Sequence, residues 1–511
     1  MPDRPRYDVG QEGSMIEQEQ QSPVNTLYYG DNLDILRRYV ADESVDLIYL
    51  DPPFKSNQDY NVLFKEKNGS QAAAQILAFE DTWTWNPVAA AAYQEAVESA
   101  GRASNALRAF RTMLGTNDML AYLAMMAPRL MDLRRVLSPT GSIYLHCDPT
   151  ASHHLKLLMD AIFDVRHFRN EIIWHYRRWT APSKKFQRLH DVILFYTKED
   201  VYTFNLLLTP YTKGSVKRKE QGVLHRFKKG EKPVLVSDGK VQAEGVPEND
   251  VWQIPFVPPS AKERLGYPTQ KPQALLERII RASSNEGDVV LDPFCGCGTA
   301  IAAATHLNRQ WIGIDITHLA INLIKHRLQD AYGLEVKKDY AVIGEPVSLP
   351  DAEQLAVEDP MQFQLWVLGL VYARPAELKR GADQGIDGQR FFHDEGPSGP
   401  TKHIVFSVKA GHTGVKDVRD LRGVVEREKA AIGVLLCLQT PTQPMIGEAA
   451  SAGFYKSPWG TQHQRLQILT VEQLFAGAAV DLPHTGDERT FRKAKRIQRG
   501  KRPRQEGLGF E

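Results

Sequence analysis

Two short apolar runs, each followed by an acidic turn, constrain the fold of this chain more than any other feature of its sequence. One run covers residues 47–50 and is followed by Asp51-Pro52-Pro53-Phe54. The other covers residues 289–291 and is followed by a glycine-rich turn that begins at Asp292 and leads into a helix-forming stretch. Apolar runs of this length, bounded by turns, predict buried strands. In open sheets of such strands, ligands bind beyond the carboxyl ends, where these acidic turns would lie.

Strands and helices alternate on both sides of these two runs. Further strands are predicted at residues 26–29, 141–146 and 311–314, and helices at residues 32–40, 121–138, 151–163 and 300–307. This alternation predicts an α/β fold with a doubly wound, mostly parallel sheet. Because 511 residues are too many for a single core, we expect two or three domains.

Composition excludes several other classes of protein. With 42% hydrophobic and 24% charged residues, the chain has the composition of an ordinary soluble protein. Its four cysteines give no disulfide framework, and no stretch approaches the roughly 20 apolar residues of a membrane span. Residues 1–25 lack the apolar core of a signal peptide and are expected to be flexible. We therefore expect a cytoplasmic protein with no membrane partner.

The turn from Asp292 to Thr299, which reads Asp-Pro-Phe-Cys-Gly-Cys-Gly-Thr, is suited to a cofactor. Gly296 and Gly298 let the backbone approach a ligand without a Cβ in the way. Asp315 ends the next predicted strand, where an acidic side chain can hydrogen-bond ribose hydroxyls. The turn lacks the Lys-Ser/Thr pair of a triphosphate cradle, and its two cysteines have no partner pair at the spacing of a zinc site. A tight strand–helix turn with no ligand is the simpler alternative.

The other acidic turn has the chemistry needed to activate an amino group attached to an aromatic ring. Such a nitrogen is a poor nucleophile because its lone pair is delocalised into the ring. If the Asp51 carboxylate and the Pro52 carbonyl accepted its two hydrogens, the nitrogen would become tetrahedral and could attack a sulfonium methyl in line. Catalysis would then rest on positioning and electrostatics, with Phe54 stacked on a base flipped out of its duplex. Taken alone, the motif could equally be a Pro-Pro turn that ends a strand.

The order of these segments resembles the beta class of site-specific DNA amino-methyltransferases, over residues from about 26 to 330. In that class the catalytic segment comes first, the target-recognition segment second and the cofactor segment last. The resemblance implies a Rossmann-like methyltransferase domain in permuted order, S-adenosylmethionine as cofactor and double-stranded DNA as partner, and it leaves a homodimer open. An aspartate rather than a serine before the proline pair resembles the adenine-modifying members. Methylation of adenine is therefore predicted, with the amino group of cytosine as the alternative.

The resemblance also implies roles for individual residues. The catalytic residues would be Asp51, Pro52, Pro53 and Phe54. The cofactor-binding residues would be Asp31, Lys271, Asp292, Phe294, Gly296, Gly298, Thr299 and Asp315. Lys271, within Thr269-Gln-Lys-Pro272, would contact the methionine end of the cofactor, and residues 30–32 would lie near its adenine. Residues 190–196 resemble a strand that helps to line the base pocket.

The segment between the two motifs is basic and rich in aromatic residues. Residues 174–232 contain 14 Lys or Arg against 5 Asp or Glu, although the net charge of the whole chain is only +1. Basic side chains neutralise phosphates, and arginine can read guanine edges. We therefore expect residues 174–260 to form a target-recognition region, with a solvated basic loop as the alternative. The residues expected to bind DNA are Arg177, Arg178, Lys184, Lys185 and Arg188.

A second domain is predicted at residues 361–480. Asp387 follows a glycine-containing segment, and Lys409 lies 22 residues later at the end of an apolar, strand-like run. This arrangement resembles Mrr-like restriction endonucleases, in which Asp387 would bind Mg²⁺ and Lys409 would help to orient or activate water. Ser407 stands where that family usually has Glu, Asp or Gln, and a hydroxyl is a weaker metal ligand than a carboxylate. The smaller α/β endonuclease-like domain would therefore either cleave DNA or be a degenerate domain that only binds it.

Together these assignments divide the chain into seven segments. They are a flexible N-terminus (1–25), the catalytic half (26–173), the target-recognition region (174–260), the cofactor-binding half (261–332), a linker (333–360), the endonuclease-like domain (361–480) and a basic disordered tail (481–511). Nine of the 16 residues at 489–504 are Lys or Arg, and with Arg419, Arg422 and Lys429 they would contact DNA phosphates. Two functions compete for the whole chain: a DNA methyltransferase with a DNA-binding accessory domain, and a fused modification and restriction enzyme. Methylation of RNA or of a protein glutamine is less favoured, because the large basic insert suits a duplex.

Overall fold

The computed structural model of the chain contains two units, each built on its own sheet. The described residues are 25–53, 85–98, 101–177, 184, 186–211, 225–226, 234–235, 245–258, 260–267, 269–376, 385–395 and 400–483. Phe54, Arg178, Lys185, most of the expected flexible N-terminus and most of the expected basic tail lie outside the described residues.

The elements follow the predicted alternation of strands and helices. The described helices are α1 (Asn32–Tyr39), α2 (Pro87–Glu98), α3 (Arg102–Leu114), α4 (Asp118–Val136), α5 (Ser152–Phe163), α6 (Gln273–Ser283), α7 (Thr299–His306), α8 (His318–Tyr332), α9 (Leu349–Glu358), α10 (Pro360–Leu370), α11 (Val415–Arg427), α12 (Gln443–Ser451) and α13 (Val471–Phe475). The described strands are β1 (Thr26–Tyr29), β2 (Val45–Leu50), β3 (Leu137–Cys147), β4 (Phe168–His175), β5 (His190–Thr197), β6 (Leu208–Thr209), β7 (His225–Arg226), β8 (Val234–Leu235), β9 (Val246–Pro247), β10 (Val251–Gln253), β11 (Val289–Asp292), β12 (Gln310–Asp315), β13 (Ala341–Ile343), β14 (Arg374–Pro375), β15 (Gly388–Phe392), β16 (Lys402–Lys409), β17 (Ile432–Cys437), β18 (Phe454–Lys456), β19 (Gln462–Gln464) and β20 (Leu466–Thr470).

The larger sheet has nine strands in the order β10-β4-β5-β3-β2-β11-β12-β1-β13. Neighbouring strands are parallel except at β5, which runs antiparallel to both β3 and β4. The predicted α/β fold with a doubly wound, mostly parallel sheet is therefore confirmed. Because β11 lies between β2 and β12, the two acidic turns found in the sequence end neighbouring strands.

Apolar helices cover both faces of this sheet. On one face α1, α4 and α5 pack around a core that includes Leu36, Leu123 and Leu130, all with 0% of their surface exposed. On the opposite face α6, α7 and α8 pack around Ile279 and Trp311. Successive strand residues point to opposite faces, so both sides of each central strand are apolar. Each fully buried side chain of this kind contributes about 1.5–3 kcal/mol.

Helix α4 is more deeply buried than its sequence predicts. The apolar spacing of Leu123, Met126 and Leu130 predicts one buried face, but Ala121 and Ala124, which lie off that stripe, are also fully buried. The reason is that α2 and α3 cover the outer side of α4. Both helices lie in the segment that follows the catalytic turn.

The smaller sheet has five strands in the order β14-β15-β16-β17-β20. Strands β16, β17 and β20 are parallel, whereas β14 and β15 are antiparallel to their neighbours. Helices α9 and α10 pack on one face around Phe363 and Trp366, and α11 and α12 pack on the other around Val418 and Leu421. This second α/β unit matches the smaller domain expected from the sequence.

The segment expected to be a linker, residues 333–360, belongs to both units. Its strand β13 pairs with β1 at the edge of the larger sheet, and its helix α9 is part of the core of the smaller unit. Ala352 and Ala356 are buried there, which explains why this segment folds. Every helix within the described ranges is too short or too polar to span a lipid bilayer.

Candidate active site

Three aspartates lie at the carboxyl ends of three neighbouring strands. Asp51 follows β2, Asp292 ends β11 and Asp315 ends β12. Lys271, just before α6, reaches across the cleft, and its Nζ contacts Oδ2 of Asp51 although the two residues are 220 positions apart. Only 13% of the Lys271 side chain and 17% of the Asp51 side chain are exposed. The catalytic motif and the Thr-Gln-Lys-Pro motif therefore meet in one partly buried cleft.

Asp292 is almost completely buried in this cleft. Burial raises the pKa of its carboxyl well above the usual range, and the nearby charges of Asp51 and Asp315 act in the same direction. A hydrogen bond of 3.1 Å from the backbone N–H of Phe294 to Oδ1, together with Lys271, opposes this effect without cancelling it. A cationic ligand in the cleft would favour the ionised form of Asp292.

Asp315 holds the glycine-rich turn and the start of α8 together. Its Oδ2 accepts from the backbone N–H of Gly296 at 2.8 Å, and its Oδ1 accepts from the backbone N–H and the hydroxyl of Thr317, both at 2.9 Å. Burial raises the pKa of Asp315 to about 6 despite these hydrogen bonds. A carboxylate has about four acceptor positions, so one remains for a ligand hydroxyl.

The turn requires glycine at two positions. Gly298 has a φ of +69°, and a Cβ there would lie 2.7 Å from Cγ1 of Ile324. Gly296 has a φ of +49°, and a Cβ there would lie 3.2 Å from the ring of Tyr267. A left-handed backbone with so little space disfavours every other residue type. The turn is therefore a closely packed cradle at the N-terminus of α7.

Arg327 stabilises this cradle, although no sequence motif indicated a role for it. It lies on α8 and is buried, and its Nη1 donates to the Cys297 carbonyl at 3.1 Å and to the Thr299 hydroxyl at 3.2 Å. Its Nη2 donates to Oε1 of Gln273 at 3.4 Å. The Thr299 hydroxyl thus faces Arg327, while its backbone forms the turn. The signal in the sequence was an arginine between apolar residues on the inner face of a helix.

The segment at residues 30–32 is bonded directly to the cofactor turn. Asn32 donates from Nδ2 to the Pro293 carbonyl at 2.8 Å and accepts from Nε of Arg129 at 2.6 Å. Asp31 caps α1 through the Leu33 N–H at 2.9 Å and pairs with Nη2 of Arg129 at 2.5 Å. Asp31 therefore lies beside the cleft with both carboxylate oxygens already engaged.

A chain of hydrogen bonds crosses the sheet beside the end of β2. The Tyr49 hydroxyl lies 2.8 Å from Nδ1 of His146, and Nε2 of His146 lies 3.2 Å from Oδ2 of Asp191. The Tyr176 hydroxyl donates to Oδ1 of Asp191 at 3.2 Å. Burial raises the pKa of Asp191, but His146, Lys271 and Tyr176 together lower it below its usual range. The sequence indicated the strand of Asp191 as a pocket wall but gave no role to His146.

Three of the five residues expected to bind DNA in the target-recognition region lie within the described residues, and all three are exposed. Arg177 follows β4, whereas Lys184 and Arg188 precede β5. Arg188 donates from Nη1 to the Thr150 hydroxyl at 3.0 Å, after the end of β3. These positions are at the same end of the larger sheet as Asp51, since β3 and β4 end there and the antiparallel β5 begins there.

Two basic residues expected to contact DNA in the second unit are in ion pairs. Arg419 Nε lies 3.0 Å from Oε2 of Glu448, and Arg422 Nε lies 3.4 Å from Oε1 of Glu426. Exposed pairs of this kind are worth about 0–1 kcal/mol, so they would not prevent either arginine from binding a phosphate.

The smaller sheet brings the residues of the Mrr-like motif together. Asp387 precedes β15, and its backbone N–H donates to the Phe406 carbonyl on β16 at 2.9 Å. Its Oδ2 accepts from the backbone N–H of Val408 at 2.7 Å, between Ser407 and Lys409. In the described part of the chain, no three His, Cys, Asp or Glu side chains are close enough to hold a metal ion. Within these residues, a Mg²⁺ ion would have fewer than three such side chains as ligands.

Comparison with known proteins agrees with this geometry. Residues 45–326, more than half of the chain, match the family model of the DNA methylases. Residues 357–454 match the model of a restriction endonuclease family. The type II methyltransferase M.HpaI of Haemophilus parainfluenzae is 33% identical over 212 residues, which are 41% of this chain and 60% of that protein. The DNA adenine methyltransferase YhdJ of Escherichia coli is 28% identical over 60% of this chain and 84% of its own length.

Solved structures show more distant similarity. TTHA0409 of Thermus thermophilus in complex with S-adenosyl-L-methionine is 20% identical, with a TM-score of 0.36 over 63% of this chain and 99% of its own. The cytosine-N4-specific PvuII DNA methyltransferase is 14% identical, with a TM-score of 0.36 over 59% of this chain and 85% of its own. The match over residues 45–326 is what assigns the family: the chain belongs to the DNA methylases.

Proposed function

We propose that residues 26–332 transfer a methyl group from S-adenosylmethionine to the exocyclic amino group of an adenine flipped out of double-stranded DNA. The observation that carries this proposal is the contact between Lys271 and Asp51, which joins two motifs 220 residues apart in one cleft. Membership of the DNA methylase family supports the reaction type. The identity of the base and of the methyl donor is inferred from the residues of the cleft.

Asp51 and Pro52 are the residues that would act on the amino group. Lys271 holds one oxygen of the Asp51 carboxylate, which leaves the other oxygen to accept an amino hydrogen. The Pro52 carbonyl accepts the second hydrogen, and the nitrogen lone pair is freed for in-line attack. After transfer, the amino hydrogen that is hydrogen-bonded to Asp51 leaves the nitrogen as a proton, which the Asp51 carboxylate accepts. Catalysis rests on orientation and electrostatics and needs no covalent enzyme intermediate.

The residues of the cleft fit S-adenosylmethionine. The cofactor would supply an electrophilic methyl group when bound. Asp315 has one acceptor position left for a ribose hydroxyl, and the left-handed backbone at Gly296 and Gly298 holds the turn beside this carboxylate. A sulfonium ligand beside Asp292 would favour the ionised form of that carboxyl group, and the family resemblance puts Lys271 at the methionine carboxylate.

The target base would enter beside Asp51, where aromatic and polar side chains line the sheet edge. Trp174 donates from its indole N–H to the Ile254 carbonyl at 2.8 Å, and Tyr176 contacts the ring of Phe256 with the centroids 6.4 Å apart. Residues from β4 and from the segment after β10 thus form one wall. Aromatic faces of this kind compensate for part of the few kcal/mol that base flipping costs. Phe54 would complete the stack, and Arg177, Arg178, Lys184, Lys185 and Arg188 would hold the phosphates.

Adenine is favoured over cytosine by the aspartate before the proline pair. The Escherichia coli relative is an adenine methyltransferase, which supports this choice. The test is to incubate duplex DNA with the purified chain and labelled S-adenosylmethionine, digest the product to nucleosides and identify the methylated base by mass spectrometry. N6-methyladenine is expected. Methylcytosine as the only product would contradict the adenine assignment while leaving the amino-methyltransferase assignment intact.

A second activity, cleavage of DNA by residues 361–480, is favoured by one observation. The Asp387 carboxylate accepts a hydrogen bond from the backbone N–H between Ser407 and Lys409, so the residues of the expected nuclease motif lie together. Ser407 offers no carboxylate, and the described residues contain no group of three His, Cys, Asp or Glu side chains for a metal ion. We therefore propose DNA binding as the main role of this domain and a fused restriction and modification enzyme as the alternative. Incubation of unmethylated and methylated plasmid with Mg²⁺ distinguishes the two.

A further inference from the structure

The endonuclease-like unit contacts the cofactor cleft through one helix, α10. Gln362 on α10 is buried, and its Oε1 accepts a hydrogen bond of 3.1 Å from the backbone N–H of His318. His318 is the first residue of α8, and Thr317 just before it donates two hydrogen bonds to Asp315. The helix that follows the expected ribose ligand is therefore capped in part by a side chain of the other unit.

This cap matters because the N-terminus of α8 is buried. The first four N–H groups of an α-helix have no acceptor within the helix and must find one elsewhere. The Thr317 hydroxyl accepts from the Ala320 N–H at 3.3 Å, and the Thr317 carbonyl accepts from the Ile321 N–H at 3.2 Å. The His318 N–H depends on Gln362 instead. Without that acceptor, the start of α8 would have to move to reach water.

The same residue connects the two sides of the cofactor cleft. The His318 ring stacks on Tyr29 with the centroids 3.6 Å apart and the planes at 17°. Tyr29 ends β1, and the N–H of Gly30, which follows it, donates to the Asp315 carbonyl at 3.0 Å. A shift of His318 would therefore displace the segment expected at the cofactor adenine as well as the segment expected at its ribose.

Helices α8 and α10 are closely packed against each other. Asn322 donates from Nδ2 to the Leu365 carbonyl at 3.4 Å. A Cβ on Gly369 would lie 1.8 Å from Nδ2 of the same asparagine. Packing this close fixes the position of α8 relative to α10. A change in the hydrogen bond at Gln362 would therefore shift the start of α8 beside the cleft.

We propose that Gln362 is a positioning residue for the methyltransferase cofactor, so that the endonuclease-like unit completes the cofactor site. This inference rests on the proposed binding of S-adenosylmethionine. Gln362 acts through His318 and Thr317 on Asp315. Residues two apart on a helix point in nearly opposite directions, and Gln364 on the far side of α10 donates to the Asp387 carbonyl at 3.5 Å. Helix α10 thus contacts the segment beside the candidate cofactor site through Gln362 and the segment of the candidate nuclease motif through Gln364.

The test uses the full chain and three variants. Gln362→Leu keeps the size of the side chain and removes the acceptor, whereas Gln362→Glu keeps an acceptor oxygen at the same position. Gln364→Ala changes the same residue type on the opposite face of the same helix. By calorimetry, Gln362→Leu should raise the Kd for S-adenosylmethionine roughly 3- to 10-fold, the loss expected for one buried hydrogen bond. Gln362→Glu should largely restore the affinity, and Gln364→Ala should leave it unchanged.

Kinetics and exchange measurements separate positioning from general damage. In Gln362→Leu the KM for S-adenosylmethionine should rise while kcat at saturating cofactor changes less than twofold. Because coupling is reciprocal, saturating cofactor should slow amide exchange across α10 in the wild-type protein. Equal Kd values for wild type and Gln362→Leu, or unchanged exchange in α10, would overturn the inference. A wild-type protein that binds no S-adenosylmethionine would refute the proposed function instead.

Discussion

Replacing Asp315 by asparagine tests the cofactor site with almost no change in shape. The asparagine oxygen can still accept the two hydrogen bonds from Thr317, but its NH₂ group would face the Gly296 N–H, which now donates to Oδ2 at 2.8 Å. One hydrogen bond becomes a contact between two donors, and the acceptor for a ribose hydroxyl is lost. Unpaired polar groups cost about 1–3 kcal/mol each, so the Kd for S-adenosylmethionine should rise roughly 5- to 150-fold.

The pH dependence of binding makes this prediction sharper. Burial raises the pKa of Asp315 to about 6, so its carboxylate is ionised above that pH and protonated below it. Only the ionised group accepts on both oxygens, and the affinity of the wild-type protein should therefore fall by up to about tenfold between pH 7 and pH 5. Asparagine does not titrate, so the dependence on this group should disappear in Asp315→Asn.

Stability should change much less than affinity. A pKa raised from 3.8 to about 6 means that ionised Asp315 opposes folding at neutral pH, by roughly 3 kcal/mol at about 1.4 kcal/mol per pKa unit. This penalty appears as pH rises from about 4 to 6 and is absent below the unfolded pKa. Removing the charge offsets the lost hydrogen bond, so Asp315→Asn should unfold within a few degrees of wild type at pH 7.

Calorimetry from pH 5 to 7.5, together with thermal unfolding, checks all three statements. Thr317→Ser is the matched control, because it changes the neighbouring side chain but keeps both hydroxyl hydrogen bonds and the carboxylate. It should bind S-adenosylmethionine within a fewfold of wild type and keep the pH dependence. Wild-type affinity in Asp315→Asn, or a wild-type affinity that does not vary from pH 5 to 7, would show that Asp315 only shapes the turn.

Three further predictions test other parts of the molecule. Asp51→Ala should reduce methyl transfer, measured with tritiated S-adenosylmethionine, to no more than a few per cent of wild type while cofactor affinity changes little; a substantial residual rate would remove Asp51 from the catalytic role. Gly298→Val should destabilise the fold by roughly 2–4 kcal/mol, measured by thermal unfolding, because a Cβ would lie 2.7 Å from a neighbouring side chain and φ is +69°. A variant as stable as wild type would mean that the turn is loosely packed. Any Mg²⁺-dependent cleavage of plasmid should vanish in Asp387→Ala and in Lys409→Ala and increase in Ser407→Glu, and cleavage that persists in both alanine variants must come from another site.

The sequence was most informative where a short motif determines both the backbone conformation and the functional side chain. Asp51 and Asp292 were found because each directly follows an apolar run that could only be a buried strand. The glycines of the turn were found for the same reason, since their backbone conformation is local. Asp387 directly precedes β15, which pairs antiparallel with β16, and Lys409 ends β16, so their proximity also follows from nearby sequence.

Long-range partners could not be predicted. Arg327 and His146 carry no motif, and their roles depend on which buried acceptors the fold brings to them. Gln362 lies on α10, but nothing in the local sequence shows that its side chain caps a helix of the other unit. Strand β13 was missed because three half-buried residues give no periodic signal, and the surrounding charges and prolines suggested a linker.

The position of β1 at the far side of the larger sheet has a consequence for how the chain acquires its structure. Thr26 of β1 pairs with Ile312 of β12 and with Ala341 of β13, both of which are synthesised much later. The Asn25 side chain accepts from the Trp311 N–H, 286 residues away. During translation this apolar strand cannot form its sheet pairs until almost the whole methyltransferase domain has been synthesised. A fragment that stops at residue 332 would lack β13 and leave one side of β1 as an open edge, which favours aggregation. A soluble methyltransferase fragment should therefore extend beyond Ile343.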